Sequence, residues 1–234
     1  MRMSVIIPCY NEEQNIPLIL DKFQKVMNGE DMEVILVDNG STDHTAQVLG
    51  EQLPRYPFAH TTLVPVNQGY GYGIIQGLSV AQGDFVGWTH ADMQTDPADI
   101  VRAYHLLEES AWSETIFVKG RRTGRNLGDR FFTMGMGVFE TIYLKKPLFD
   151  INAQPNIFPR SFYAEWKNPP SDFSLDLYAL YMAQVKDLHI VRFDVKFPPR
   201  IYGASHWNTG FAAKWKFIKR TIQFSQKLKR EGIR

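Results

Sequence analysis

"MSVIIPCYNEEQNIPLILDKFQKVMNGEDMEVILVDNGSTD", residues 3–43, holds two short β-branched runs with one amphipathic stretch between them. The runs at 3–8 and 32–37 are each closed by turn-forming residues, and Ile16, Ile19, Leu20, Phe23 and Val26 between them fall near helical spacing. That is strand, helix, strand. Apart from Ser4 and Glu33 the runs are apolar rather than alternating, which suits parallel strands covered by helices on both faces. The unit then repeats: 44–53 reads as a helix, 61–66 as a strand, 71–83 as a helix and 84–89 as a fourth strand. The first hundred residues therefore predict an α/β fold around a mostly parallel central sheet.

Beyond Pro97 the spacing predicts a helix over 97–110, a strand over 114–120, a long amphipathic helix over 126–143, a helix over 171–187 and an alternating strand over 188–197. No repeat or low-complexity linker interrupts the chain, so a body over 1–210 and a basic amphipathic helix over 211–234 are expected. With 234 residues and 44% hydrophobic content, a full core can be buried. The formal charge of +1 argues against a strongly basic surface and so against a nucleic-acid partner. Its distribution is uneven: from Lys214 onward eight Lys or Arg face one acid, Glu231, leaving 18 basic and 24 acidic residues in the rest. A tail of that sign is expected to meet something anionic. Cys9 is the only cysteine, which excludes an intrachain disulfide and suits a reducing, cytoplasmic setting; it reads as a small buried thiol rather than a nucleophile. The apolar run behind Met1 ends at Pro8, so no secretory signal is expected, and no stretch is apolar enough to span a membrane. Membrane contact would be peripheral.

In open α/β sheets ligands gather beyond the carboxyl ends of the strands. Four such ends close in polar residues: PCYNEE (8–13), DNGSTD (38–43), NQGYGYG (67–73) and HADMQTD (90–96). Each alone is ordinary turn or cap chemistry. Four together point to a ligand site.

These segments, with RIYGASHW (200–207), resemble family 2 glycosyltransferases of the GT-A fold, nearest their dolichol- and polyprenyl-phosphate mannose synthase-like branch. The resemblance implies an inverting transfer from a UDP- or GDP-linked sugar to a polyprenyl-phosphate or glycan-lipid acceptor at the cytoplasmic membrane face. Pro8, Tyr10 and Glu12 match the loop that holds base and ribose, and Asp38 matches the acid that accepts from the base. Asn67 and Gly69 lie in the loop that passes close to the nucleotide, where GYGYG lacks the spacing of a dinucleotide fingerprint. The family places Asp-x-Asp after the fourth strand, two carboxylates sharing Mg²⁺ or Mn²⁺ with the diphosphate. Here the run is His90-Ala91-Asp92, with Gln94 following as in the family. Asp92 and His90 are thus the metal candidates, although imidazole suits Mg²⁺ less well than a carboxylate.

Three arginines, Arg121, Arg122 and Arg125, suit donor or acceptor phosphates, or simply a solvated loop. Asn152 and Gln154, with Asp150 before a strand-like segment, resemble the acceptor-side strand of the family, or else organise a turn. Asp172 and Asp176 fall four residues apart at a predicted helix start; one is expected to act as general base, while the helix dipole alone would also explain them. Arg200 and Ser205 match the phosphate-gripping Arg-x-x-Gly-x-Ser pattern, and His206 stands where the branch often has Lys. In the tail, Phe211, Trp215, Ile218, Ile222 and Phe224 share a helical face among basic residues, which fits either a helix lying on anionic lipid or a packed terminal helix. Two other functions stay open: a nucleotide-sugar-binding relative without activity, and a sugar-phosphate nucleotidylyltransferase. The second usually opens with a Gly-rich basic loop that PCYNEE lacks.

Overall fold

A computed structural model describes residues 1–124, 127–198, 200, 202 and 211–231. In chain order the elements are β1 (Met3–Cys9), α1 (Ile16–Val26), β2 (Met32–Asn39), α2 (Thr45–Gln52), β3 (Ala59–Val64), α3 (Tyr70–Val80), β4 (Phe85–Trp88), α4 (Pro97–Glu109), β5 (Ile116–Thr123), α5 (Leu127–Leu144), β6 (Asn156–Pro159), α6 (Arg160–Ala164), α7 (Leu175–Val185), β7 (His189–Lys196) and α8 (Phe211–Glu231). A short 3-10 turn, Leu53–Arg55, follows α2.

The strands form one seven-stranded sheet in the order β3-β2-β1-β4-β6-β5-β7. β1, β2, β3 and β4 pair in parallel, as the apolar runs predict. β6 runs antiparallel to both β4 and β5, while β5 and β7 are again parallel to each other. This reversed strand carries only four residues, all buried, too short for a periodicity to reveal its direction. α7 starts at Leu175 rather than at Ser171, because the chain from Ser171 to Ser174 folds as a turn in which the Ser174 N–H donates to Asp172 Oδ1.

Strand alternation sorts the core onto two faces. Val5, Ile7 and Cys9 of β1 point to the side covered by α1, α2 and α4, where Leu20, Phe23, Leu49, Ile100 and Leu107 are buried. Ile6 points to the other side with Ile74 and Leu78 of α3, Leu177 and Leu180 of α7 and Leu228 of α8. Fully buried side chains of this size each contribute about 1.5–3 kcal/mol. Cys9 is enclosed within the first cluster, and burial pushes its thiol well up, as expected of an inert buried cysteine. α4 is entered through Asp96, whose carboxylate accepts from the Ala98 N–H, with Pro97 at the first helical position.

α8 corrects one expectation. Its packed face is formed by Phe224, Ser225 and Leu228: Phe224 and Leu228 join the second core cluster, and Ser225 Oγ donates to Glu140 on α5. Ile218 and Ile222 are half-buried and Trp215 is exposed, while the Phe211 side chain lies outside the described residues. The five apolar residues therefore do not form a single outward stripe. No helix among the described residues is long and apolar enough to cross a membrane.

Candidate functional site

The carboxyl ends of β1, β2 and β3 are knitted together by side chains that satisfy loop backbone. Asn11, held at φ 58°, receives the Thr42 N–H on its Oδ1 at 2.8 Å, and its own N–H donates to Ser41 Oγ. The Glu12 N–H donates to Thr45 Oγ1 at 2.9 Å, and Glu12 Oε2 accepts from Asn15. Asp38 is buried and accepts from the Ser41 N–H at 3.0 Å. Asn39 Nδ2 donates to the Gly69 carbonyl at 2.9 Å, and the Gly69 N–H donates to Asn67 Oδ1. Gly69 has φ 113° and a Cβ there would meet the Ser171 carbonyl at 2.6 Å, so the position requires glycine on both counts. Pro8 is half-buried at the strand end and Tyr10 is exposed beside it.

The β4 loop joins this rim. Asp92 is buried, with Oδ1 accepting from the Gln94 N–H at 3.1 Å and Oδ2 lying 2.9 Å from an Arg200 terminal nitrogen. Arg200 Nε also donates to Gln94 Oε1 at 3.1 Å, and Gln94 Nε2 donates to the Pro198 carbonyl. Ala91 is buried and Met93 holds a left-handed φ of 58°. Burial raises the Glu12 carboxyl, the Asp92 charge adds to that, and Arg200 opposes it, so the first and fourth loops share one electrostatic environment. Among the described residues no three His, Cys, Asp or Glu side chains gather as a metal site. The chain offers Asp92, with His90 two residues away, and no second carboxylate where the family pattern has one.

Tyr70, which the sequence reading did not single out, bridges the other loops. Its ring stacks on Phe173 with centroids 4.8 Å apart and lies 5.9 Å from the His90 ring, and its hydroxyl accepts from Gln154 Nε2 at 3.2 Å. Beneath it sits a buried polar network. Asp176 Oδ1 accepts from Trp88 Nε1 at 3.0 Å, Gln154 Nε2 at 2.9 Å and Asn156 Nδ2 at 3.2 Å. Lys119, fully buried, donates to Asn156 Oδ1 and to the Ala153 carbonyl at 2.8 Å, and burial brings its amine down to about 7. Lys119 had a sequence signal, a lone charge inside the apolar run TIFVKG.

Several candidates are used differently from expectation. Asp176, expected as a candidate base, is 2% exposed with three donors on one oxygen, and burial raises its carboxyl; its contacts here are those of the buried network rather than of the rim. Gln154 belongs to the same buried network, not to a pocket wall, while Asn152 is half-buried in the turn before β6. Arg122 is spent on Asp150: its N–H and Nε donate to that carboxylate at 2.7 and 2.8 Å, and its side chain is only 6% exposed. Burial pushes the Asp150 carboxyl up, but the Arg122 charge and hydrogen bonds bring it net below the usual range. Arg121 pairs with Asp194 directly opposite it on the edge strand β7, a cross-strand contact set by the β5–β7 register. Asp172 stays at the rim, 3.4 Å from Arg220 Nε of α8. Arg125, Ser205 and His206 lie outside the described residues.

Comparison with known proteins agrees with this geometry. The family described as glycosyl transferase family 2 matches residues 4–166. The undecaprenyl-phosphate 4-deoxy-4-formamido-L-arabinose transferase of Proteus mirabilis is 36% identical over 112 residues, covering 46% of this chain and 34% of that protein. The same-named protein of Photorhabdus laumondii is 34% identical over 112 residues, with the same coverage. The match thus spans about a third of the length of these relatives. Among solved structures, glucosyl-3-phosphoglycerate synthase from Mycobacterium tuberculosis with Mg²⁺ and UDP superposes with a TM-score of 0.73 at 19% identity, over 100% of this chain and 80% of that one. A mannosyltransferase from Pyrobaculum calidifontis with GDP-Man and Mn²⁺ gives 0.67 at 19% identity, over 93% and 60%. The seven-stranded sheet is that of the GT-A glycosyltransferases, and the chain belongs to glycosyl transferase family 2.

Proposed function

We propose that the chain binds a UDP- or GDP-linked sugar in the cradle made by the loops after β1, β2, β3 and β4, and transfers the sugar with inversion to a polyprenyl phosphate. The observation that carries this reading is the Asp92, Gln94 and Arg200 cluster at the end of β4, set against Glu12 of the first loop. Pro8, Tyr10, Glu12 and Asp38 hold the base and ribose, Asn67 and Gly69 bring backbone alongside, and Ala91, Asp92 and Gln94 meet the diphosphate. The names of the undecaprenyl-phosphate relatives support the acceptor class. The UDP and GDP-Man complexes of the structural relatives support either nucleotide.

A divalent cation, Mg²⁺ or Mn²⁺, would neutralise charge on the leaving diphosphate. Asp92, with His90 beside it, fits such an ion only as a partial ligand set, and the donor's own phosphate oxygens are ligands of the kind a hard cation takes. Arg200, bonded to Asp92 and Gln94, places its positive charge at the same position and so stabilises the leaving group electrostatically. An acceptor phosphate is already ionised and needs no strong base. For a hydroxyl acceptor, Asp172 is the rim carboxylate able to take the proton.

One observation favours a second reading. Asp92 is held by Arg200 and position 90 is His, an arrangement that suits a nucleotide-sugar-binding relative without turnover. Transfer assays with UDP- and GDP-sugars, Mn²⁺ and a short-chain polyprenyl phosphate separate the two. Steady product formation supports the transferase, and tight donor binding without product supports the binding relative.

A further inference from the structure

We infer that the outward face of α5, flanked by the basic side of α8, docks the protein on an anionic lipid bilayer. α5 exposes Phe131 by 67%, Met134 by 59%, Val138 by 45% and Ile142 by 73%, with Phe139 stacked on Tyr143 along the same side. At 100° per residue these positions fall within roughly 140° of the helix circumference, and the run from Phe131 to Ile142 is about 16 Å long. Gly128 and Gly135 are the other exposed residues of this face, so none of its described side chains is charged. A single exposed Phe or Ile is ordinary on a protein surface; a contiguous stripe marks an interaction site.

The surroundings select the occupant. Ser225 of α8 meets Glu140 of α5, and Lys229 Nζ lies 4.3 Å from the centre of the Tyr143 ring, so the two helices run side by side in the same direction. Trp215, 60% exposed, therefore lies toward the Phe131 end of α5. Lys219, Lys227, Lys229 and Arg230 are exposed along α8, and exposed Lys145 follows α5. The carboxylate between the helices, Glu140, is buried against Ser225. An apolar centre with an aromatic anchor and a cationic flank matches the boundary between headgroups and acyl chains of an anionic bilayer. A second copy of this face would bring lysines against lysines, which opposes pairing. The docked surface also lies next to the transfer site, because Arg220 of the same helix reaches Asp172. That last point rests on the lipid-phosphate reading above; the docking geometry does not.

The test is cosedimentation of the full chain with vesicles of phosphatidylcholine and phosphatidylglycerol, against phosphatidylcholine alone. The protein is expected to pellet with the mixed vesicles and to be released as salt rises. F131S/I142S, at exposed positions, is expected to cut vesicle partition about tenfold or more with an unchanged melting temperature. K219E/K227E is expected to weaken binding to the mixed vesicles only. Wild-type protein left in the supernatant, or F131S/I142S binding as wild type, overturns the inference. So does a wild-type dimer that F131S/I142S converts to monomer, since the occupant is then a second copy. Donor binding on the same preparation separates the two readings: donor binding without vesicle binding refutes docking alone, and vesicle binding without donor binding upholds docking and refutes the transferase.

Discussion

The loops after β1 to β4 and the region built from β5, β7, α5 and α8 use their polar residues in opposite ways. In the first, short side chains such as Asn11, Thr45 and Asn39 bond to backbone of neighbouring loops, and Asp38 to backbone of its own, and so fix a rim. In the second, long charged side chains are consumed in pairs, Arg122 with Asp150 and Arg121 with Asp194, and the surface left over on α5 is apolar. The difference teaches that a polar residue beside a turn announces its local job, whereas an arginine's job depends on which carboxylate the fold brings within reach.

The sharpest way to break this contrast is at Asp176. Asp176→Ala leaves three buried donors without their acceptor and removes the carboxylate charge near the buried Lys119 amine, and urea unfolding should show a loss of about 3–5 kcal/mol. Asp176→Asn should lose less, with turnover per folded molecule retained. A large fall in turnover at unchanged stability would instead return Asp176 to the role of base.

Next in size is the pair at the end of β4. Asp92→Ala and Arg200→Ala should each lower transfer about a hundredfold or more, with little change in urea midpoint for Arg200→Ala, whose side chain is partly exposed. Full transfer by either variant would detach the cradle from the chemistry.

These two sites also show what the sequence could tell. The parallel strands, the helices between them and the four polar strand ends were legible because hydrophobic period and turn residues are local signals. The reversed β6 was not, since four buried residues carry no direction. Asp172 and Asp176 look equivalent as letters four apart, yet the helix begins between them, at Leu175, leaving one on the rim and one in the core. Tyr70 acquired its position from contacts with residues 84 and 103 places later in the chain, Gln154 and Phe173, and nothing near it in sequence signals them.

A smaller effect sharpens the second region. Burial pushes the Glu140 carboxyl from 4.5 up to about 7, so the folded chain holds that proton more tightly than the unfolded chain. Stability from this group is complete below the ordinary glutamate range and is lost as pH rises toward about 7, on the order of 2 kcal/mol. Glu140→Gln should flatten that part of the stability–pH curve; an unchanged slope would show that α8 is not held over α5 by a protonated carboxyl. The smallest expected change is Tyr70→Phe, which removes one hydroxyl from Gln154 and should cost about 1 kcal/mol in a thermal melt while leaving the Phe173 stack in place.

The cradle itself is tested most directly by melting the protein with a panel of UDP- and GDP-sugars, each with and without Mn²⁺, in wild type and in Asp92→Ala. One nucleotide class should raise the wild-type melting temperature, more so with Mn²⁺, and the Mn²⁺ increment should vanish in Asp92→Ala. No shift with any donor, or an identical Mn²⁺ increment in both proteins, would contradict the account.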